Sequence, residues 1–227
     1  LNKEGLINRN KKISFTFNGK KLFGYEGDTI ASALIANGIH LVGRSFKYHR
    51  PRGFFGAGVE EPNAKLQVEF NGHSEPNVNA TEMELVEGLS ATSQNCWPSV
   101  NFDVGAINNF LKMFFPAGFY YKTFMWPKSF WYKIYEPFIR KAAGLGVASI
   151  EKDKERYEHK FEYCDLLVTG SGPSGLASAY AAAKNGAKVI LAEDKPRFGG
   201  TLLTDDVSID NLSGKDWAEK IITELKS

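Results

Sequence analysis

The residues best suited to chemistry lie between Leu166 and Gly200. Gly170, Gly172 and Gly175 stand in G-x-G-x-x-G spacing, as GSGPSG, and Glu193 follows 18 residues after the third glycine. That is the spacing of a dinucleotide-binding turn. The first glycine allows a tight turn, the second lets backbone approach a pyrophosphate, and the third lets a helix pack closely on a strand. A helix starting there directs free N–H groups and partial positive charge at the phosphates. Ser171, Pro173 and Ser174 fill the turn between the glycines. Glu193 is placed to accept hydrogen bonds from ribose hydroxyls, and its charge opposes the 2′-phosphate of NADP.

The elements around the turn fit that use. Leu166, Leu167 and Val168 form an apolar run bounded by glycine, too short for a helix, which predicts a buried parallel strand. An Ala-rich helix is expected from about Ser174 to Asn185, stopped by Gly186. A second strand, Lys188 to Ala192, ends at Glu193. A glycine-rich turn without a ligand is the alternative, but here strand, helix, second strand and terminal acid coincide. NAD and FAD are both served by such a unit, so the motif does not separate them.

Upstream the pattern changes. Leu1 to Lys11 reads as a polar arm. Ile13, Phe15 and Phe17 alternate with Ser14 and Thr16, the period of a half-buried strand. Asn18-Gly19 is a hairpin turn, and Lys20 to Tyr25 the returning strand. Asp28 or Thr29 caps a short helix, Ile30 to Ala36, closed at Asn37-Gly38. Lys65 to Phe70 and Met83 to Val86 are expected as two more strands. The order ββα-loop-ββ predicts an α+β, β-grasp domain over 1–100. In the intervening loop, Arg44, Lys47, His49, Arg50 and Arg52 read as solvated or interdomain charge, or as an anion site. His40, His49, His73 and His159 lack metal-ligand spacing and read as surface or structural histidines.

Residues 101–160 form a connector. From Asn101 to Gly146 it is dense in Phe, Tyr, Trp and Lys and is broken by Pro116, Pro127 and Pro137. No apolar run approaches the length of a membrane span. An interfacial anchor or a stacking surface for nucleic acid has this composition; short helices burying rings against another domain or subunit account for it more simply. Ser149 to His159 is a charged linker. Residues 161–227 then carry the nucleotide unit and a final amphipathic helix, Trp217 to Leu225.

Composition excludes several classes. The chain has 227 residues, 43% hydrophobic and 24% charged, with a net charge of +2. This balance gives no global pull toward nucleic acid or a membrane surface. Two cysteines, Cys96 and Cys164, are too few for a disulfide framework or a cysteine metal site. The N-terminal LNKEGLINRNKK is polar, unlike a signal peptide, and cytoplasmic residence is the expectation. A start at Leu1, and a nucleotide sheet with only two of the strands its class requires, point to a piece of a longer subunit.

GRSFKYHRPRG with its following glycine-rich loop, WPKSFWYKIYEPFIRKAAGLG and GSGPSG together resemble the α subunits of heterotetrameric sarcosine oxidases over nearly the whole chain. Relatives such as hydrogen cyanide synthase and opine- or proline-type dehydrogenase subunits carry cysteines for a [2Fe–2S] cluster in that loop. Here those places hold Gly56, Glu60 or Glu61, and Asn63, and Cys96 in SQNCWP stands alone. A cluster needs about four thiolates, so the resemblance implies a ferredoxin-like domain without a cluster. It implies NAD in this chain, with FAD as the alternative, β, γ and δ subunits as partners with FAD and FMN mainly on the β-subunit side, and no nucleic-acid or membrane partner. The family oxidises sarcosine to glycine while O₂ becomes hydrogen peroxide, the one-carbon unit leaving as formaldehyde or passing to tetrahydrofolate. PRFGG resembles the second glycine pair of glutathione-reductase-like domains, which adds Asp194, Lys195, Arg197, Gly199, Gly200 and Thr201 to the cofactor-binding candidates; a plain loop turn is the other reading. No residue here is assigned to amine oxidation itself. A FAD-binding α subunit of a proline-, hydroxyproline- or opine-type dehydrogenase, and a non-catalytic assembly module, are the competing readings. Replacing Glu193 by Ala separates the last from the others: nucleotide affinity, measured by calorimetry, falls if the fold holds a dinucleotide, and subunit assembly is unchanged.

Overall fold

The alternation of Ile13, Phe15 and Phe17 with Ser14 and Thr16 becomes the two faces of strand β1, Asn8–Phe17, and the three apolar side chains are buried. The structure is a computed structural model that describes residues 7–118, 126–144, 146–152 and 156–226. It divides into two compact units, Leu1–Lys154 and Glu155–Ser227.

In the first unit β1 turns back through Asn18-Gly19, at φ 48° and 78°, into β2, Lys20–Glu26. Two successive positive φ angles suit the twist of a tight hairpin. The polar arm expected at the N-terminus is strand from Asn8 onward: Asn8 Nδ2 and Lys11 Nζ both reach the Glu26 carboxylate, at 3.0 and 2.5 Å. Helix α1, Ile30–Ala36, is capped by Thr29, whose Oγ1 accepts the Ser32 N–H at 3.2 Å while Ser32 Oγ accepts the Thr29 N–H at 3.0 Å. Asp28, the other candidate cap, is buried behind it and accepts from Ser32 Oγ (2.6 Å) and Tyr25 N–H (2.9 Å).

After the small ladder of β3, Gly43–Arg44, and β4, Pro51–Arg52, three strands complete the main sheet. They are β5, Lys65–Phe70, β6, His73–Asn79, and β7, Ser90–Ser93. The order is β2-β1-β7-β5-β6, and β1 with β7 is the parallel pair. Met83 to Val86, expected as a strand, is not one; it touches the ladder system only through a Thr29–Glu84 bridge. Its apolar residues instead plug the core, with Leu85 buried and Met83 and Val86 packed beside it. The strands that take its place carry little apolar signal. β6 lies at the sheet edge, where Pro76 and polar side chains are tolerated. β7 is central but short and made of small residues, SATS.

The basic loop fastens the aromatic-rich stretch to this unit. Arg44 Nε donates to the Val100 carbonyl at 2.8 Å, Lys47 Nζ to Pro116 at 3.1 Å, Tyr48 Oη to Phe115 at 2.8 Å, and Arg50 Nε to Asn109 Oδ1 at 2.9 Å. At the centre, buried Asp103 meets His49 Nδ1 at 2.7 Å with one oxygen and accepts the Trp97 and Gly105 N–H groups with the other, at 3.0 and 3.2 Å. These contacts lie within one unit and use Arg44, Lys47 and His49 as internal fasteners, where the sequence suggested solvated or interdomain charge or an anion site; Arg50 and Arg52 are exposed, as solvated charge is. The stretch forms short helical turns, including α2, Ile107–Phe110, and α3, Glu136–Ala143. Its rings are turned out rather than in: Phe110 is 84% exposed and Trp126 81%. Residues 119–125, within the same expected aromatic arm, lie outside the described residues. No described helix is long and apolar enough to cross a membrane.

In the second unit β8, Leu166–Thr169, and β9, Val189–Ala192, pair in parallel and are joined by α4, Pro173–Lys184; the first strand is parallel as expected but not buried, since α4 packs on the pair and leaves Leu166 and Leu167 exposed. A hairpin of β10, Ser208–Ile209, and β11, Leu212–Ser213, leads into α5, Gly214–Lys226. Leu176, Leu202, Trp217, Ala218 and Ile221 form the core.

Asp103→Ala leaves two loop N–H groups and His49 without their acceptor. It is expected to destabilise the unit by about 2–3 kcal/mol and to speed proteolysis within residues 97–116, read by denaturant melts and limited digestion.

Candidate functional site

The glycine turn is tied into one knot by Ser171. Gly170 leaves β8 at φ 89°, a conformation glycine enters without strain, and its N–H donates to the Ala192 carbonyl at 2.8 Å. Ser171, fully buried, donates its N–H to Glu193 Oε2 at 2.7 Å and its hydroxyl to the same oxygen. Ser171 also receives the Gly199 N–H, at 3.1 Å from both its Oγ and its carbonyl oxygen. Three segments that are apart in sequence thus converge on one side chain: the turn after β8, the acid after β9, and the second glycine pair.

Burial pushes the Glu193 carboxyl up. Hydrogen bonds from the Ser171 hydroxyl and N–H, then from the Lys195 N–H and from Asp194, outweigh that and bring it down to about 2. The carboxylate is therefore ionised at neutral pH and already engaged by its own loop.

The three glycines of the turn have different reasons. Gly172 caps α4 with φ −65° and ψ −177°, ordinary extended backbone, and no side chain caps the helix; Pro173 follows in its first turn. A Cβ added at Gly172 meets nothing within 4 Å. The fold itself does not require glycine there, and its absence of a side chain keeps a cradle open at the helix N-terminus. That fits the approach of a pyrophosphate. Gly175 differs: an added Cβ would run into the carbonyl oxygen of Gly170, so glycine there lets helix and turn pack. Gly200, at φ 53°, lies against Gly172; its Cβ would stand 2.9 Å from the Gly172 Cα.

The remaining candidates occupy the rim. Ser174 is exposed beside Pro173 in the first turn of α4, and Asp194, Lys195 and Arg197 are exposed between Glu193 and Gly199. Lys195 Nζ lies 3.8 Å from Asp194 Oδ2, and its N–H reaches Glu193 Oε1 at 3.1 Å. Thr201 uses its carbonyl to close the next turn, accepting the Asp205 N–H at 2.8 Å. The contact of Gly200 with Gly172 has no signature in residue spacing, because it depends on how the chain returns from β9.

Comparison with known proteins follows the same division. Residues 10–96 match the family described as "2Fe-2S iron-sulfur cluster binding domain", and residues 165–226 the family "FAD dependent oxidoreductase". The chain is 56% identical over all 227 residues to the sarcosine oxidase subunit alpha of Rhizobium meliloti (strain 1021), covering 23% of that protein. It is 31% identical over 223 residues to the sarcosine oxidase subunit alpha of Corynebacterium sp. (strain U-96), covering 96% of this chain and 18% of the relative. The chain thus spans about a quarter or less of the length of these relatives. The solved L-proline dehydrogenase from P. horikoshii shares the fold with a TM-score of 0.50 at 19% identity, over 95% of this chain and 32% of that one.

The matched ferredoxin-like span holds one cysteine, Cys96. Burial pushes its thiol up and Asp103 adds to this, with Arg44 opposing, whereas a cluster ligand must be a thiolate. Cys164 belongs to the other unit. These residues do not fit a [2Fe–2S] cluster.

Gly172→Val in the full-length subunit is expected to leave the melting temperature unchanged and to reduce nucleotide affinity at least tenfold. Gly175→Ala is expected to destabilise the second unit by about 1–3 kcal/mol through overpacking. Because the Glu193 carboxyl is depressed in the folded state, its contribution to stability is present above about pH 4.5 and is lost as pH falls toward 2. Ser171→Ala removes one of its donors, so acid unfolding of the variant should begin at higher pH.

Proposed function

We propose that this chain is part of the α subunit of a sarcosine oxidase, with the second unit beginning a Rossmann-like dinucleotide domain and the first a ferredoxin-like domain that works without a cluster. The observation that carries the reading is the 56% identity across the entire chain. On this reading the whole enzyme converts sarcosine, O₂ and water into glycine, hydrogen peroxide and a one-carbon unit, and this chain belongs to an oxidoreductase. Amine oxidation takes place elsewhere in the complex, with FAD and FMN on the partner side.

Bound at the second unit, a nicotinamide or flavin ring supplies the redox chemistry, while the chain supplies position and charge. Gly170 shapes the turn, Gly172 leaves the cradle open, and Gly175 holds α4 against the turn. Ser171, buried between Glu193 and Gly199, ties all three segments together. Glu193 faces the ribose and its charge excludes NADP. Ser174, Asp194, Lys195, Arg197, Gly200 and Thr201 form the rim. NAD is the assignment that follows the sarcosine oxidase resemblance. FAD is the second reading, favoured by the family match of residues 165–226.

The exposed rings of the aromatic stretch, among them Phe110, Phe114, Trp126, Tyr132 and Phe138, with Met113 beside them, form the surface on which the rest of the α subunit or a partner subunit docks. Such rings dominate the energetics of interfaces when buried.

Purifying the complex with its neighbouring subunits, denaturing it and identifying the released nucleotides tests the cofactor assignment. NAD together with FAD supports the first reading. FAD bound to this subunit without NAD moves the assignment to the second, and no nucleotide on this subunit removes both. Phe110→Asp combined with Phe114→Asp is expected to release partner contacts, seen as loss of the assembled complex in size-exclusion chromatography while the isolated subunit stays folded.

A further inference from the structure

The loop 54–64, where the resemblance puts cluster cysteines, is folded around an anion of its own. Glu61 is only 1% exposed. Its Oε2 accepts the N–H groups of Phe55 and Gly56 at 2.5 and 2.6 Å, and its Oε1 those of Asn63 and Ala64 at 2.7 and 3.2 Å. Four donors saturate a carboxylate. The loop around it is otherwise irregular, and Phe55 and Val59 point their side chains to solvent. Burial pushes the Glu61 carboxyl up, and the N–H groups of Gly56, Asn63, Phe55 and Ala64 outweigh it, so the carboxyl sits below its ordinary value. Neighbouring Glu60, which is exposed, accepts the Ala57 and Gly58 N–H groups at 2.9 and 3.0 Å.

A thiolate-bound [2Fe–2S] centre behaves according to its net charge and the hydrogen bonds donated to its sulfurs. Amides that converge inside a loop need an internal acceptor, and a loop without thiolates must find one other than a cluster's sulfurs. We propose that Glu61 takes over that role: its buried carboxylate is the internal anion that gathers the amides of Phe55, Gly56, Asn63 and Ala64, so the loop closes without iron or sulfide. This rests on the cluster-free reading of the same domain and adds the group that makes it physically possible. The glutamate is a positioning residue. With all four acceptor positions filled by amides, it is not a metal ligand.

Two measurements on the purified complex separate the parts. Iron and acid-labile sulfide analysis tests the cluster-free reading, and stoichiometric iron and sulfide in this domain would overturn that reading and the role of Glu61 together. Hydrogen exchange followed at residue resolution tests Glu61 itself. In the wild-type protein the amides of Phe55, Gly56, Asn63 and Ala64 should exchange at least about tenfold more slowly than those of Ala57 and Gly58, whose acceptor is exposed. Glu61→Gln replaces one acceptor oxygen by a donor, and should raise exchange at the four amides about tenfold or more while the amides of β5 keep their protection. If the wild-type amides are no better protected than Ala57 and Gly58, or if Glu61→Gln leaves them unchanged, Glu61 does not organise the loop. The wild-type comparison stands even if the variant does not fold.

Discussion

Irregular backbone can be buried only if its N–H groups find acceptors, and in this chain carboxylates meet that need at several of the loops that hold a fixed shape. Asp28 receives the Tyr25 N–H and the Ser32 hydroxyl behind α1. Asp103 joins the basic loop to the start of the aromatic stretch, Glu61 closes the loop 54–64, and Glu193 ties the glycine turn to the end of β9. An ionised carboxylate accepts about four hydrogen bonds where a neutral side chain accepts one or two. One acid can therefore gather amides from several segments, and charge assistance strengthens each bond. Burial opposes the charge, yet the donated hydrogen bonds, N–H groups for Glu61 and the Ser171 hydroxyl together with N–H groups for Glu193, win and the carboxyls stay ionised.

The glycine turn depends on the same device. Its glycines make room, but they cannot by themselves hold a conformation, since glycine loses more freedom on folding than any other residue. Ser171 and Glu193 provide the constraint. Glu193 has a structural part as well as the ribose-facing part proposed for it, so its replacement loosens the turn and removes a ligand contact together. Gly172 is where the two effects come apart, because the space beyond its Cα is empty.

The first unit shows how charge can be spent on architecture. Arg44, Lys47, His49 and Arg50 look like an anion site as a string of letters. Their donors instead reach carbonyls, an amide oxygen and one buried carboxylate in residues 97–116. The result is a stretch whose backbone is pinned while its rings stay exposed, an arrangement suited to a surface that another domain or subunit covers.

Local pattern alone determined the elements with a strong period or punctuation. The alternation in Ile13–Phe17, the Asn18-Gly19 turn, the capped helix at Ile30–Ala36 and the strand-glycine-helix-strand run from Leu166 to Ala192 were all legible, because each depends on neighbours in sequence. Motif resemblance went further and identified the relatives, since GSGPSG, HRPRG and the aromatic stretch are specific in combination. Tertiary structure alone decided the rest. Ser90–Ser93 became a central strand although SATS has no apolar signal, because β1 and β5 supply hydrogen bonds on both sides. Met83, Leu85 and Val86 had the apolar signal but filled the core from a turn. The partners of Glu61, His49 and Glu193 were invisible for a related reason. A carboxylate chooses among backbone amides by where the folded chain brings them, and no spacing of residue types records that choice.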